Sequence, residues 1–122
     1  MSDEKITVLI VDDEKDLLDI CVETFELEGF RVFGADNGPR AIEILKTEEV
    51  DVVVSDYMMP EMSGREFLEK LSSLFDRDSF PKFFFSTGAM DIDEKSLIDA
   101  GATGIIIKPF DIDELIKLVR ES

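Results

Sequence analysis

The sequence predicts an α/β fold in which a five-stranded parallel sheet is covered by helices on both faces, forming a three-layer sandwich of five strand–helix units. Two observations carry this prediction. Five short segments are almost continuously apolar, as in strands that are buried on both faces. Each is followed by a segment whose apolar residues recur three and four positions apart, as on one face of a helix. The chain has 122 residues, the usual length of one domain, and we expect a single domain over residues 1–122.

The predicted strands are short and apolar. The third contains three consecutive valines, and the fifth contains three consecutive isoleucines. Three consecutive phenylalanines form the fourth strand, directly after Pro81 and Lys82. Neighbouring strand residues point to opposite faces, so we interpret these phenylalanines as core residues and not as a stacking platform for nucleotide bases. In chain order, the predicted strands lie at residues 6–11, 30–35, 50–55, 83–85 and 105–107.

The predicted helices follow from helical spacing and from the residues that interrupt it. Gly29 and Gly101 end the first and fourth helices, since glycine readily adopts the backbone conformation in which many helices terminate. Asn37-Gly38-Pro39 separates the second strand from the second helix, and Pro60 and Gly64 break the chain before the third helix. In chain order, the predicted helices lie at residues 15–28, around 41–45, 67–75, 93–100 and 112–119.

The composition disfavours several classes of protein. With 29 acidic and 13 basic residues the formal net charge is −16, which disfavours direct binding to nucleic acid or to an anionic membrane surface. No apolar run approaches the roughly 20 residues of a membrane helix, and no signal peptide is visible, so we expect a cytoplasmic location. Met1 favours a natural N-terminus. Cys21 is the only cysteine and is expected to be a buried core residue.

Polar side chains follow every predicted strand, although the second strand contributes only Asp36 and Asn37. Asp12 and Asp13 come after the first strand, Asp56 after the third, Thr87 after the fourth and Lys108 after the fifth. Ligands of open parallel sheets bind beyond the carboxyl ends of the strands. If the strand order is the flavodoxin-like 2-1-3-4-5, the three carboxylates lie close together. Three carboxylates against one ammonium call for a further cation, and oxygen ligands favour Mg²⁺, with Mn²⁺ as the alternative.

Each of these residues also has a simpler interpretation. Asp13 could cap the helix that follows it, Asp56 could belong to a turn, and Lys108 could be an ordinary surface lysine. The joint arrangement, with one group at each strand end in a chain of this length, is what favours a functional site.

The chain resembles the receiver domains of response regulators over essentially its whole length. The matching segments are VLIVDDE at 8–14, VVSDYMMPEMSG at 53–64, FSTGA at 85–89 and IIKPF at 106–110. The resemblance implies a phosphoacceptor module of a two-component or phosphorelay system. Its donor would be a sensor histidine kinase or a histidine phosphotransfer protein. Such a module catalyses its own phosphorylation and slow dephosphorylation, but it is not an enzyme that acts on a pool of substrate.

The resemblance assigns the metal and the phosphoryl group to particular residues. Asp56 would be phosphorylated, Asp13 would bind Mg²⁺ directly, and Asp12 would act largely through water. Met58 would offer its backbone carbonyl to the metal.

The remaining roles concern the phosphoryl group itself. Thr87 would move to hydrogen-bond the phosphoryl oxygens, and Lys108 would contact the same group. The bond between Lys108 and Pro109 is typically cis in this family.

Three positions depart from the family pattern. Ile105 occupies a place where many receivers have an aromatic residue that rotates on activation, so we expect the switch to rely on the backbone of residues 88–104. Met58 and Ala89 occupy the positions that tune dephosphorylation, and neither side chain can orient a water by a charge or an amide. We therefore predict a comparatively long-lived phosphoryl-aspartate.

Other classes of protein share parts of this pattern. A phosphohydrolase of the haloacid dehalogenase type would need a second aspartate at the position of Met58. A flavin-binding carrier would need a phosphate-binding loop in place of Asp12-Asp13-Glu14-Lys15. A receiver-like scaffold that is never phosphorylated is a further alternative.

The output is a separate question. A stand-alone regulator would bind a downstream protein partner, whereas a larger regulator or hybrid kinase would carry an output domain outside this segment. Receivers can dimerise through the fourth helix, fifth strand and fifth helix, so the resemblance also admits a dimer through these elements.

Overall fold

The computed structural model describes residues 5–59, 61–88 and 93–122. Strands and helices alternate along the chain, and a short 3₁₀ helix precedes the fourth strand. The elements are β1 (Thr7–Val11), α1 (Lys15–Leu27), β2 (Arg31–Ala35), α2 (Gly38–Thr47), β3 (Val52–Asp56), α3 (Gly64–Leu74), the 3₁₀ helix (Arg77–Ser79), β4 (Lys82–Thr87), α4 (Glu94–Asp99), β5 (Gly104–Ile107) and α5 (Ile112–Glu121). None of the helices it describes is both long and apolar enough to cross a membrane.

The five strands are parallel and lie in the order β2-β1-β3-β4-β5. The predicted flavodoxin-like order is therefore confirmed. Strand β3 pairs with β1 on one side and with β4 on the other, with Asp56 opposite Ser86. This order brings the carboxyl ends of β1, β3 and β4 side by side.

Apolar side chains are buried on both faces of the sheet, as the three-layer prediction requires. Alternate residues of the central strands point to opposite faces. One face packs against α2, α3 and α4, with Leu9, Val53, Phe83, Phe85, Phe67 and Leu71 among its buried residues. The other packs against α1 and α5, with Val8, Val54, Phe84, Cys21, Phe25 and Leu115 among them. The consecutive phenylalanines and Cys21 are thus core residues, as predicted.

The helices α2 and α3 begin earlier than the apolar spacing predicts. Helix α2 begins at Gly38 because the Asn37 side chain accepts a hydrogen bond from the backbone N–H of Arg40. Helix α3 begins at Gly64, behind a reciprocal cap between Ser63 and Glu66. Polar caps of this kind start a helix before its first apolar residue, so hydrophobic spacing alone places the boundary too late.

Candidate functional site

Three carboxylates meet at the carboxyl edge of the sheet. One oxygen each from Asp12, Asp13 and Asp56 lies within 4.8 Å of the others. Asp56 is the last residue of β3, not the first residue beyond it, and both Asp56 and Asp12 are only 6% exposed. Asp13 is exposed. The adjacency of β1 and β3 brings these residues together, because nothing in the local sequence joins positions 12 and 56.

The Asp12 carboxylate also organises the start of α1. Its Oδ1 atom accepts a hydrogen bond from the backbone N–H of Glu14 at 2.9 Å. Glu14 is the N-cap residue of α1, and its side chain makes no capping hydrogen bond. The interpretation of Asp13 as a helix cap is therefore wrong, because the cap position belongs to Glu14 and the carboxylate bonded to the local backbone is that of Asp12.

Lys108 reaches the carboxylate of Asp56. Its Nζ atom lies 3.3 Å from Asp56 Oδ2, and its side chain is 23% exposed. The backbone N–H of Lys108 donates to the carbonyl of Thr87 at 2.8 Å, which holds the start of the next loop against the end of β4. The peptide bond between Lys108 and Pro109 is cis. Lys108 is thus not an ordinary surface lysine, and Asp56 is not a turn residue.

The backbone after Asp56 is held by hydrogen bonds on both sides. The N–H of Tyr57 donates to the carbonyl of Ser86 at 2.9 Å, and the Tyr57 carbonyl accepts from the N–H of Gly64 at 2.9 Å. The second oxygen of Asp56, Oδ1, accepts a long hydrogen bond of 3.4 Å from the N–H of Met58. Met58 itself is 68% exposed.

Gly64 is part of this arrangement, although the sequence pattern predicts for it only the role of a chain breaker. A Cβ atom at this position would lie 2.6 Å from Phe85 Cε1, 2.9 Å from the Tyr57 Cα and 3.0 Å from the Asp56 carbonyl oxygen. The first turn of α3 therefore packs directly on the backbone that carries Asp56. The motif itself contained the signal, a glycine at a fixed distance beyond the aspartate, but the spacing does not show what the glycine contacts.

The remaining predicted site residues lie around the same edge. Thr87 is the last residue of β4, is 1% exposed and pairs with Ile107 in the sheet. Ile105 is partly buried against the core on the α2–α4 face. Ala89 lies outside the residues that the structure describes.

Burial dominates the electrostatics of the two inner carboxylates. It raises the pKa of both Asp12 and Asp56 above the ordinary range of an aspartate, since the charged form loses water. For Asp56, the ammonium of Lys108 opposes this rise in pKa and the charge of Asp12 adds to it. The site therefore holds more negative charge than its lysine compensates.

The donor set fits a hard divalent cation. All three candidate ligands are carboxylate oxygens, which suit Mg²⁺ better than softer metals that prefer nitrogen or sulfur. These three carboxylates face the single ammonium of Lys108, so a divalent cation would balance the negative charge that Lys108 leaves. The acidic cluster of Asp12, Asp13 and Asp56 thus fits Mg²⁺ binding.

Replacing Asp12 by asparagine should stabilise the metal-free protein at neutral pH, by on the order of 1 kcal/mol. A carboxyl group whose pKa is raised by folding stabilises the fold below its unfolded pKa of about 4, and this contribution is lost as the pH rises through the folded value. The Asp12→Asn gain should therefore be largest at pH 7 and vanish near pH 3. Asparagine keeps an oxygen acceptor for the Glu14 N–H.

Urea unfolding in chelator at both pH values measures this effect. Asp19→Asn is the matched control, because it removes the same single charge from an exposed position on α1. An equal gain from both variants would contradict the prediction, since it would trace the effect to the net charge of −16 and not to the site.

Comparison with known proteins gives a consistent family. The model of the response regulator receiver domain matches residues 8–120. The chain is 35% identical over 109 residues to the response regulator SaeR of Staphylococcus epidermidis, and 33% identical over 109 residues to SaeR of Staphylococcus aureus. Each match covers 89% of this chain and 46% of the relative. The chain therefore spans about half the length of these curated relatives.

Solved structures give the same result for the fold. The chemotaxis response regulator CheY4 of Vibrio cholerae superimposes with a TM-score of 0.85 at 27% identity, covering 97% of this chain and 98% of that one. A CheY-like receiver domain protein of Methanospirillum hungatei gives a TM-score of 0.86 at 28% identity, covering 97% and 93%.

Proposed function

Because this chain belongs to the response regulator receiver domain family of two-component systems, we propose that it accepts a phosphoryl group on Asp56 and changes conformation in response. Receiver domains are signalling modules and not enzymes in the usual sense. Membership of this family therefore argues against the two alternative interpretations of the chain, as a flavin carrier or as a phosphohydrolase. One observation carries the proposal: a buried carboxylate lies beside two further carboxylates and within ion-pair distance of Lys108. The proposed module is a single receiver domain over residues 1–122.

Asp56 is the proposed nucleophile. One of its carboxylate oxygens attacks the phosphorus of a phosphohistidine, a P–O bond forms as the P–N bond breaks, and the imidazole leaves with its electron pair. The chain contains no histidine, so the phosphohistidine must come from a sensor histidine kinase or a histidine phosphotransfer protein. The hydrogen bonds that hold Tyr57 and Gly64 fix the backbone of the nucleophile, which reduces the entropy cost of the in-line approach.

Cations must hold the charge that builds on the transferring group. Lys108 already lies 3.3 Å from Asp56, where its ammonium can contact the incoming phosphoryl oxygens. Asp12, Asp13, Asp56 and the Met58 carbonyl are the proposed Mg²⁺ ligands, with Asp12 acting through water. When bound, Mg²⁺ (or Mn²⁺ in its place) supplies further positive charge for the phosphoryl oxygens.

The phosphorylated state is proposed to act through its added charge and hydrogen-bond acceptors. Thr87, at the end of β4, is the proposed hydroxyl partner of the phosphoryl group, with the backbone of residues 88–104 as the moving part. Residues 89–92 of that segment, including Ala89, lie outside the described residues. The proposed outputs are a downstream protein or an output domain outside this segment, and a dimer through α4, β5 and α5.

Acetyl phosphate with Mg²⁺ tests the acceptor function without a partner protein. We expect the intact mass to rise by one phosphoryl group, and we expect chelation of the metal to suppress the reaction. Peptide mapping after borohydride reduction should place the modification on Asp56. An unmodified protein, tested with both acetyl phosphate and a phosphorylated histidine phosphotransfer protein, would refute the proposal and favour a scaffold that is never phosphorylated.

Met58 is expected to prolong the life of the phosphorylated state. Its side chain is exposed, two residues beyond Asp56, and a thioether has neither a charge nor an amide with which to orient an attacking water. Met58→Asn introduces an amide at this position, and we expect it to accelerate loss of the phosphoryl group about tenfold, which corresponds to about 1.4 kcal/mol in the barrier.

The decay rate of purified phosphoprotein in Mg²⁺, after acetyl phosphate has been removed, measures this difference. Met58→Leu is the matched control, because it keeps an apolar side chain of similar volume and should decay as the wild type does. Rapid decay of the wild type, unchanged in Met58→Asn, would show that another group activates the water.

A further inference from the structure

We propose that the hydrogen bond between Arg65 and Ser96 mechanically links the loop after Asp56 to helix α4. Arg65 Nη1 donates to Ser96 Oγ at 2.9 Å, across 31 positions of sequence. Arg65 is thus a positioning residue that carries the state of the phosphoacceptor loop to α4. This inference rests on the proposed function, since the loop changes state when Asp56 is phosphorylated.

The loop end of the link is fixed by Gly64. Its N–H is bonded to the Tyr57 carbonyl, and its Cα packs against the backbone of Asp56 and Tyr57 so closely that no Cβ fits. Arg65 is the next residue. A shift in the Asp56 backbone must therefore move Gly64, and with it the Arg65 backbone from which the guanidinium extends.

The α4 end of the link is lightly anchored. Helix α4 has six residues, of which Leu97 is buried. A further hydrogen bond, from Ser72 Oγ to the carbonyl of Ala100, joins α3 to the end of α4 but is long at 3.5 Å. A short helix with one buried side chain is readily reoriented. The hydrogen bond from the charged Arg65 side chain to Ser96 therefore contributes substantially to the position of α4.

The side chains of Arg65 and Ser96 are suited to a stable hydrogen bond. The guanidinium offers several N–H donors in a planar group, and its Nε lies 3.4 Å from Glu69 Oε2 one turn further along α3. One nitrogen of the guanidinium thus faces Glu69 along α3, while another donates to Ser96. The Ser96 backbone N–H is separately bonded to Asp93 Oδ1, so Ser96 joins the cap of α4 to α3.

Hydrogen exchange of the unmodified protein tests whether the hydrogen bond between Arg65 and Ser96 stabilises α4. Arg65→Met and Ser96→Ala should each speed exchange of the amides at 97–100 roughly three- to tenfold, the range expected for one hydrogen bond. The double variant should exceed neither single variant, because both remove the same bond. Ser96→Thr retains the hydroxyl and should restore slow exchange. Ser73→Ala is the control, since its hydroxyl bonds within α3.

The coupling is tested by the response of α4 to a change at Asp56. In the wild type, beryllium trifluoride with Mg²⁺, or the Asp56→Asn substitution alone, should shift the NMR signals of the α4 amides. Both shifts should be largely lost in the Arg65→Met background, whereas phosphorylation of Asp56 by acetyl phosphate should persist.

The outcomes separate the two proposals. Full α4 shifts in Arg65→Met would overturn the link, and so would loss of phosphorylation in that variant, since Arg65 would then serve the chemistry. A wild type that accepts no phosphoryl group refutes the proposed function alone, because the exchange rates and the Asp56→Asn shifts still decide whether the link exists.

Discussion

Replacing Asp56 by asparagine is expected to abolish phosphorylation while stabilising the metal-free protein. An amide oxygen is a poor nucleophile and cannot form the acyl phosphate, so no product should be detected by intact mass after treatment with acetyl phosphate and Mg²⁺. Stability should rise because burial raises the pKa of the Asp56 carboxyl, so that its ionised form is costly near pH 7. As with Asp12, this gain should disappear as the pH falls below about 4.

The expected gain in stability serves as a control for the expected loss of phosphorylation. A variant that is folded and more stable cannot have lost phosphorylation through unfolding, and thermal melting in chelator checks this directly. Asp36→Asn is the matched control, because Asp36 is an exposed carboxylate just beyond the end of β2 at the same edge of the sheet. Full phosphorylation of Asp56→Asn would place the acceptor on another residue.

Replacing Gly64 by alanine is expected to cost about 3 kcal/mol, the upper part of the usual range for overpacking. Two of the three atoms that the new methyl group would meet belong to the backbone of Asp56 and Tyr57, and the third belongs to the buried ring of Phe85. A backbone atom cannot turn aside as a flexible side chain can. Helix α3 must therefore move away from β3, which should also slow phosphorylation because the loop after Asp56 moves with it.

Gly38→Ala is a closely matched control. Both glycines are the first residue of a helix, and both follow an N-cap residue whose side chain accepts a backbone hydrogen bond. At Gly38 the new methyl group would meet the thioether of Met62, with its sulfur at 2.6 Å, and that flexible side chain can rotate away. The difference in urea-unfolding free energy between the variants isolates the crowding at Gly64. Equal costs would show that the backbone at Asp56 yields easily.

Some features of this protein can be derived from the sequence because their causes are local. Apolar strands at fixed intervals predict the parallel sheet, and polar residues at the ends of those strands predict which groups share its carboxyl edge. The motif around Asp56 identifies the receiver family, and the charge of −16 comes directly from the composition. None of these inferences needs a contact between residues that are distant in the chain.

Other features depend on contacts that the local pattern does not encode. The strand order decides that Asp12 and Asp56 are neighbours, and the local sequence pattern does not fix that order. The bond from the Glu14 N–H to Asp12 displaces the predicted capping role of Asp13, because the path of the chain after β1 decides which carboxylate faces that N–H. The packing of α3 on β3 turns Gly64 from a chain breaker into a spacing requirement.

One physical reason separates the features that follow from the sequence from those that depend on tertiary contacts. Hydrophobic periodicity reports which face of an element is buried, but it carries no information about the partner that buries it. The sequence by itself therefore determined the elements, the edge of the sheet and the residue types at that edge. The tertiary structure alone decided which charges lie within a few ångströms of Asp56, and only it brought Arg65 to Ser96.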